Sequence, residues 1–185
     1  MTRLAVFIVT LCVALAVRAE PYSFAELQWG ANKEEVAKQL RAKGFLVSDS
    51  KGGDIQIAGV LVGYKALGFA MFGTSGLAKV GVSIATPENK ALSVYRDMKD
   101  TLTKKYGEPE STYQVFVKPY YEGDGYAEQA IRRGKGHFMS MWKEPATKTE
   151  LGLQVTERLE VMVIYEAPTW AEETAKRKEK AVSVF

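Results

Sequence analysis

Hydrophobic and polar positions follow two different periods along the chain, and the period changes at recognisable points. Apolar residues between Val36 and Leu40 recur at helical spacing, which predicts a helix over residues 33–43. Asn32 precedes this segment as an N-cap residue, and Gly44 follows it as a C-cap glycine. The first regular element is therefore predicted to be an amphipathic helix with defined ends.

Residues 45–86 change to the two-residue alternation that is typical of strands. The alternation is clearest from Ile55 to Ile57, and it continues at Val60, Val62 and Tyr64. Two apolar segments flank Gly73-Thr74-Ser75-Gly76, which predicts a hairpin with a glycine-containing turn. Alternation with polar or small partners favours an antiparallel sheet that is covered on one face.

A second helical pattern follows, and its predicted ends are the best marked in the chain. Thr86 is predicted as its N-cap, Pro87 as its first residue, and Glu88 as the acid that complements the helix dipole. Gly107 and Pro109 end it. One apolar stripe runs along the helix, formed by Leu92, Tyr95, Met98, Leu102 and Tyr106.

Strand patterns return after residue 110, and a final helix closes the chain. The predicted strands cover residues 113–117, 137–142, 151–155 and 159–165, with a turn at 156–158. Thr169 and Glu172 form a capping-box pattern, which predicts a C-terminal helix over about residues 169–182.

The order of these elements defines the predicted fold class. Runs of strands that alternate with single helices indicate α+β structure: an antiparallel sheet with helices packed on one face, plus the C-terminal helix. The order of elements also suggests two similar halves, about residues 20–86 and 87–167. We therefore expect one α+β domain over residues 20–185.

Residues 1–19 have the pattern of a secretory signal peptide. Arg3 precedes an uncharged segment from Leu4 to Val17, and small residues then mark a cleavage site between Ala19 and Glu20. The segment is shorter than the roughly 20 apolar residues that a spanning helix needs. We expect an exported protein, periplasmic or secreted, with no integral membrane segment after cleavage.

Composition narrows the chemistry of the exported part. Cys12 is the single cysteine and lies inside the predicted leader, so cleavage would exclude disulfides and thiolate chemistry. Loss of Arg3 and Arg18 with the leader lowers the formal net charge from +3 to +1. A nearly neutral chain gives no reason to expect nucleic acid as a partner.

The residues that usually carry catalysis or bind metals do not form a motif. His137 is the single histidine, too few for a zinc site, and Asp124 lies in a glycine-rich segment without the spacing of a calcium loop. The glycine-rich turns lack a phosphate-loop pattern. We expect no enzymatic activity, no cofactor and no metal.

The most suggestive segment for binding is rich in tyrosine and glycine. Tyr120, Tyr121 and Tyr126 lie with Asp124 in a predicted loop, and tyrosine is favoured at binding surfaces. These four residues are our candidate contacts for a partner. The alternative is that the tyrosines fold back onto the sheet.

Two short motifs resemble those of known exported proteins. Trp29–Val36 resembles the helix entry, and Lys105–Pro109 the helix exit, of small exported bacterial domains. Such motifs occur in outer-membrane assembly lipoproteins of the SmpA/OmlA type and are similar to the repeats of the β-lactamase-inhibitor-protein-like fold. The resemblance implies a domain that binds proteins or envelope components and is not an enzyme; the chain lacks the lipobox cysteine of the lipoproteins.

Two functions follow as hypotheses from these observations. The first is an exported bacterial, non-enzymatic domain that binds a protein or a component of the cell envelope. The second is a periplasmic carrier of a small ligand or lipid, in which aromatic and methionine side chains would line an apolar pocket. The residues considered for that pocket are Phe69, Met71, Phe72, Phe138, Met139, Met141 and Trp142.

Overall fold

The computed structural model describes residues 21–50, 52–87 and 89–182. The predicted leader, its cleavage site at Ala19 and Glu20, and Cys12 lie outside these residues. The elements in chain order are α1 (Lys33–Ala42), β1 (Leu46–Asp49), β2 (Ile55–Leu61), β3 (Tyr64–Gly73), β4 (Gly76–Ile84), α2 (Ala91–Tyr106), β5 (Ser111–Phe116), α3 (Ala127–Arg132), β6 (Gly136–Lys143), β7 (Glu150–Val155), β8 (Val161–Glu166) and α4 (Trp170–Val182).

The eight strands of the described residues form one antiparallel sheet in the order β1-β2-β3-β4-β8-β7-β6-β5. Residues 20–86 supply α1 and the meander β1–β4, and residues 87–167 supply α2 and the meander β5–β8. The two meanders join where β4 pairs with β8, so β1 and β5 are the edge strands. The α+β class and the antiparallel sheet predicted from the sequence are confirmed.

The hydrophobic core lies between the sheet and helices α1 and α2. Leu40 of α1 is fully buried, and Trp142 of β6 is only 1% exposed. Alternate residues of the central strands supply the rest of the core, among them Val80, Val82, Val161, Val163, Leu151 and Leu153. Burying a large apolar side chain contributes about 1.5–3 kcal/mol, so this layer provides the main stabilisation.

One polar cluster is built into this core. The Tyr95 hydroxyl of α2 lies 2.7 Å from the Ser140 hydroxyl of β6, and Thr112 of β5 lies 3.1 Å from the same oxygen. Ser140 is completely buried. Because a buried hydroxyl without a partner is costly, the cluster fixes how α2 sits on the sheet.

The starts of α1 and α2 differ in how well the sequence predicted them. Asn32 caps α1, its side-chain oxygen accepting from the Glu35 N–H at 2.9 Å as predicted. The predicted start of α2 is wrong, because that helix begins at Ala91 and Thr86 instead donates to the Leu159 carbonyl. Glu88 lies outside the described residues.

Other corrections concern short segments. Val62 does not continue a strand; Val62 and Gly63 form the turn between β2 and β3, with positive φ angles of 47° and 86°. Helix α3 was not predicted, since its six residues are too few to show a period. The predicted hairpin at Gly73–Gly76 is confirmed, with Gly73 paired to Gly76.

Helix α4 is anchored at the β3–β4 turn by two charged side chains. Arg177 donates to both carboxylate oxygens of Asp54, at 3.0 and 3.1 Å, and to the Phe72 carbonyl at 2.8 Å. The buried Glu173 carboxylate accepts from the Thr74 N–H at 3.1 Å and from its hydroxyl at 2.7 Å. These contacts link the last helix to a hairpin about a hundred residues earlier in the chain.

Among the described residues, no helix combines the length and apolar character that crossing a membrane requires.

Candidate functional site

The side of the sheet opposite α1 and α2, here called the open face, presents apolar side chains over much of its width. Burial alternates along the strands, so the neighbours of each core residue point to this side. A central row crosses five strands in register and consists of Phe69, Gly81, Ile164, Gly152 and Met141.

The part of the open face formed by β1, β2 and β3 is the most exposed. Leu46 is 75% exposed, Val60 65% and Leu67 69%. Ala58 pairs with both Leu46 and Leu67 in the sheet register, so these residues form one continuous row. We call Leu46, Ala58, Val60 and Leu67 the aliphatic patch. A contiguous apolar patch of this kind is typical of an interaction surface, whereas scattered exposed leucines are not.

Two glycines shape the open face in opposite ways. The Phe69 ring lies directly over Gly81, since a Cβ atom built there would be 2.4 Å from the ring edge. Space above Gly152 is empty within 4 Å, which leaves a depression of about 150 Å³ beside Met139 and Met141. A second, wider depression of about 620 Å³ adjoins the aliphatic patch.

A charged row borders the open face on the side of α4. Lys79 lies 2.7 Å from Glu166, and Lys143 lies 2.8 Å from Glu150. The hydrogen bond to Glu150 raises the pKa of Lys143. Trp170 of α4 stacks on Lys79, with the ammonium 4.8 Å from the ring centre. The face therefore has an apolar middle and a charged margin.

The four candidate contacts from the tyrosine-rich loop do not form one surface. Tyr120 is buried, whereas Tyr121 is 67% exposed and Tyr126 60% exposed. The Asp124 carboxylate accepts from the Tyr121 N–H at 3.1 Å and from the Tyr126 N–H at 2.8 Å. Asp124 thus shapes the loop, in the manner of aspartates that bond their own backbone in turns.

A groove of about 820 Å³ separates this loop from the start of α2. Tyr126 lines it together with Arg96 and Phe116. Glu128 of α3 also lines it, and one of its carboxylate oxygens accepts from the Leu92 N–H at 3.4 Å. Glu128 therefore acts as a cap for α2 from another helix, in place of the predicted Thr86.

The remaining candidate groups lie apart. His137 is exposed at the start of β6, opposite Val115 of β5. In the described part of the chain, no three histidine, cysteine or acidic side chains are grouped as metal ligands would be. The residues considered for a carrier pocket also separate: Phe138 and Trp142 face the core, and Met139 and Met141 face the open side.

Sequence reasoning missed the open face, although a signal was present. In residues 138–142, the side chains that point to either face of the sheet are apolar, except at Ser140. Residues 69–72 are apolar or small throughout. A strand with one solvated face should alternate with polar residues. Continuous apolar character in an antiparallel strand therefore indicates an apolar second face.

The two motifs that resemble exported domains both lie at helix ends. Trp29–Val36 contains the Asn32 cap of α1, and Lys105–Pro109 contains Gly107, whose φ of 84° ends α2. Trp142 also donates its indole N–H to the Gly107 carbonyl at 2.8 Å, which ties this helix end to the core. Comparisons of the chain with models of protein families, with curated proteins and with solved structures found no match.

Proposed function

We propose that this protein is an exported, non-enzymatic domain that binds another protein, or another component of the cell envelope, through the open face of its sheet. The observation that carries the proposal is the aliphatic patch, in which Leu67 is 69% and Leu46 75% exposed although they are in register across the sheet. Removing such a patch from water on binding is favourable by roughly 25 cal/mol per Å² of apolar area.

The shape of the open face supports a macromolecular partner. The depression above Gly152 has a volume of only about 150 Å³, below the roughly 300–1,000 Å³ of typical small-ligand sites. The wider depression of about 620 Å³ adjoins the aliphatic patch, where Leu46 and Leu67 are more than two-thirds exposed and do not enclose a cavity. An apolar middle with a charged margin also corresponds to the core and rim of protein interfaces. Lys79, Glu166, Glu150 and Lys143 would form the rim on the side of α4.

A photo-crosslinking amino acid placed at Leu67 tests the contact surface. In the native host, the variant is expected to crosslink to one partner, whereas the same amino acid at Asp100, exposed on α2, is not. Once the partner is purified, Leu67→Lys should weaken its affinity by at least about tenfold, because a charge would be placed in the buried core of the interface. Asp100→Lys is the matched control.

Equal crosslinking from both positions, or an affinity that Leu67→Lys leaves unchanged, would remove the open face from the proposal. The tyrosine-rich loop would then be the remaining candidate surface. Alanine at the exposed Tyr121 and Tyr126 tests that loop directly, with Tyr120 left intact because it is buried.

Export is tested separately, on the chain purified from its native host. Sequencing the mature N-terminus is expected to begin at Glu20. A cytosolic protein that still begins with Met1 would contradict export and leave the binding surface to be judged by itself.

The carrier function is a second candidate, favoured by the groove beside the tyrosine-rich loop. Its volume of about 820 Å³ lies within the range of small-ligand sites. Native mass spectrometry of the purified protein distinguishes the two functions. A co-purifying ligand that is lost in a Tyr126→Ala variant would favour the carrier, and an unliganded mass would favour the binding domain.

A further inference from the structure

Strand β5 has a row of backbone groups that point away from the sheet. Val117 donates its N–H to the Lys135 carbonyl at 2.8 Å, which extends the β5–β6 ladder and fixes its phase. In an antiparallel pair, hydrogen-bonded and non-hydrogen-bonded residues alternate. The backbone groups of Thr112, Gln114 and Phe116 are therefore directed outward, where another strand would pair with them.

The neighbouring loop contacts this edge through a side chain, since the Gln114 amide donates to the Glu122 carboxylate at 2.9 Å, but the strand itself lacks the sequence features that usually protect an exposed edge. Residues 111–117 contain no charged residue and no proline, and the register with β6 is regular. The side chains of Tyr113, Val115 and Val117 are each nearly half exposed. The opposite edge differs, because β1 has only four residues and ends at Asp49, which lies 3.0 Å from the Lys33 ammonium.

We propose that β5 pairs antiparallel with β5 of a second copy of this chain, about a two-fold axis at Gln114. Gln114 is the midpoint of the uncharged segment 111–117, and its backbone groups are among those directed outward. A symmetric pair centred there uses every outward group of the strand. The result is an isologous dimer with one continuous sheet across both copies.

The side chains are complementary in this register. Tyr113 lies opposite Val115 of the second copy, and Val115 lies opposite Tyr113, so both contacts join an aromatic and a β-branched residue. Such cross-strand pairs stabilise antiparallel strands. Shifting the pairing by two residues places Pro109 opposite Val117 in one direction and Pro119 opposite Ser111 in the other, so either shift brings a proline against the segment 111–117.

Charges at the two ends of the segment select the same register. Glu110 precedes the strand and Lys118 follows it, and both are exposed. Pairing about Gln114 places Glu110 of each copy opposite Lys118 of the other, which forms two ion pairs. A single chain thus carries both halves of a complementary contact, which is the evidence for a second copy as the occupant.

Sedimentation equilibrium of the mature chain over micromolar concentrations tests the dimer. Gln114→Pro removes an outward N–H that β6 does not use, so it should abolish the dimer while circular dichroism shows an intact fold. Proline is tolerated at such edge positions. Reversing the charges at the ends of the strand gives a second test of the dimer, one that leaves the backbone unchanged.

Glu110→Lys and Lys118→Glu each convert both ion pairs into like-charge pairs, and each should weaken the dimer about tenfold. An equimolar mixture of the two variants restores two opposite-charge pairs and should form heterodimers as tightly as the unsubstituted chain. Asp100→Lys, with the same change in charge as Glu110→Lys, should leave the dimer unchanged.

A monomer at every concentration would overturn the proposal, as would a dimer that tolerates both Gln114→Pro and the charge reversals. Binding of an unrelated extended peptide to β5 of a monomeric chain would also overturn it. Crosslinking from Leu67 is unaffected by these results, because the aliphatic patch lies at the other edge of the sheet.

Discussion

At the scale of single residues, several side chains are held by partners that are distant in sequence. Glu128 caps the start of α2 at Leu92, 36 residues earlier in the chain, and Ser140 bonds Tyr95 across the core. Val62 is a different case, because the strain there is in its own backbone: this β-branched residue has a φ of 47° in the β2–β3 turn. That conformation is unfavourable for branched side chains and favours asparagine or glycine.

The Val62 turn gives the first prediction. Val62→Asn is expected to raise the free energy of unfolding by about 1 kcal/mol, because Asn-Gly is the preferred sequence of a two-residue hairpin turn with two positive φ angles. Val62 is 56% exposed, so little packing is lost. Urea denaturation measures the change. Val60→Asn, at an exposed strand position, is the control, and an equal gain there would refute the conformational explanation.

At the scale of elements, α4 shows how a helix with a mixed-charge surface is held on the sheet. Hydrogen bonds to Asp54 raise the pKa of Arg177, and hydrogen bonds from Thr74 lower the pKa of Glu173. The charged forms of both side chains are therefore the ones that the docked helix favours. Glu173 fits only because Gly73 has no side chain: a Cβ atom there would lie 2.4 Å from the Glu173 Cγ.

Gly73→Ala is accordingly expected to displace Glu173 and to lower the free energy of unfolding by about 1–3 kcal/mol, the usual cost of overpacking. Hydrogen exchange of the α4 amides should accelerate as well. Gly152→Ala is the matched control, because the space beside Gly152 is empty within 4 Å, and its effect should stay within about 0.5 kcal/mol. Equal effects of the two substitutions would exclude the contact with Glu173 as the cause.

At the scale of the whole molecule, tyrosines from different parts of the chain are buried in the core. Burial raises the pKa of Tyr95 in α2, and burial together with the neighbouring Tyr106 raises the pKa of Tyr165 in β8. Burial also raises the pKa of Tyr22, with a smaller contribution from Glu144. In the unfolded chain these phenols ionise near their ordinary value of 10.0.

These shifts predict a loss of stability at alkaline pH. Below about pH 10 the phenols are neutral in both states, whereas above it the unfolded chain releases protons that the folded chain retains. The free energy of unfolding should therefore decrease as the pH rises from 10 toward the folded-state pKa values. Denaturation between about pH 8 and about pH 11, with tyrosinate absorbance as a second signal, measures the slope.

Tyr165→Phe should make that slope shallower, because one group with a raised pKa has been removed. Tyr121, which is 67% exposed, provides the matched control, and Tyr121→Phe should leave the slope as it is in the unsubstituted chain. A slope that Tyr165→Phe does not change would show that other groups govern the alkaline transition.

The sequence by itself determined the elements whose signals are local. Asn32 and Gly107 mark helix ends, the Gly73–Gly76 turn marks a hairpin, and two-residue alternation marks the strands, so the α+β class followed without coordinates. Each of these signals depends on residues within about one helical turn or one hairpin of each other.

Only the tertiary structure decided which strands became neighbours and which faces remained uncovered. The pairing of β4 with β8 left β1 and β5 at the edges, and the register of β1, β2 and β3 grouped Leu46 with Leu67 on the open face. The packing of α3 beside the start of α2 placed Glu128 where Thr86 was predicted to cap. Segments far apart in the chain can pair with the same strand edge or pack on the same face of the sheet. The outcome depends on the packing of the whole chain and not on any one segment.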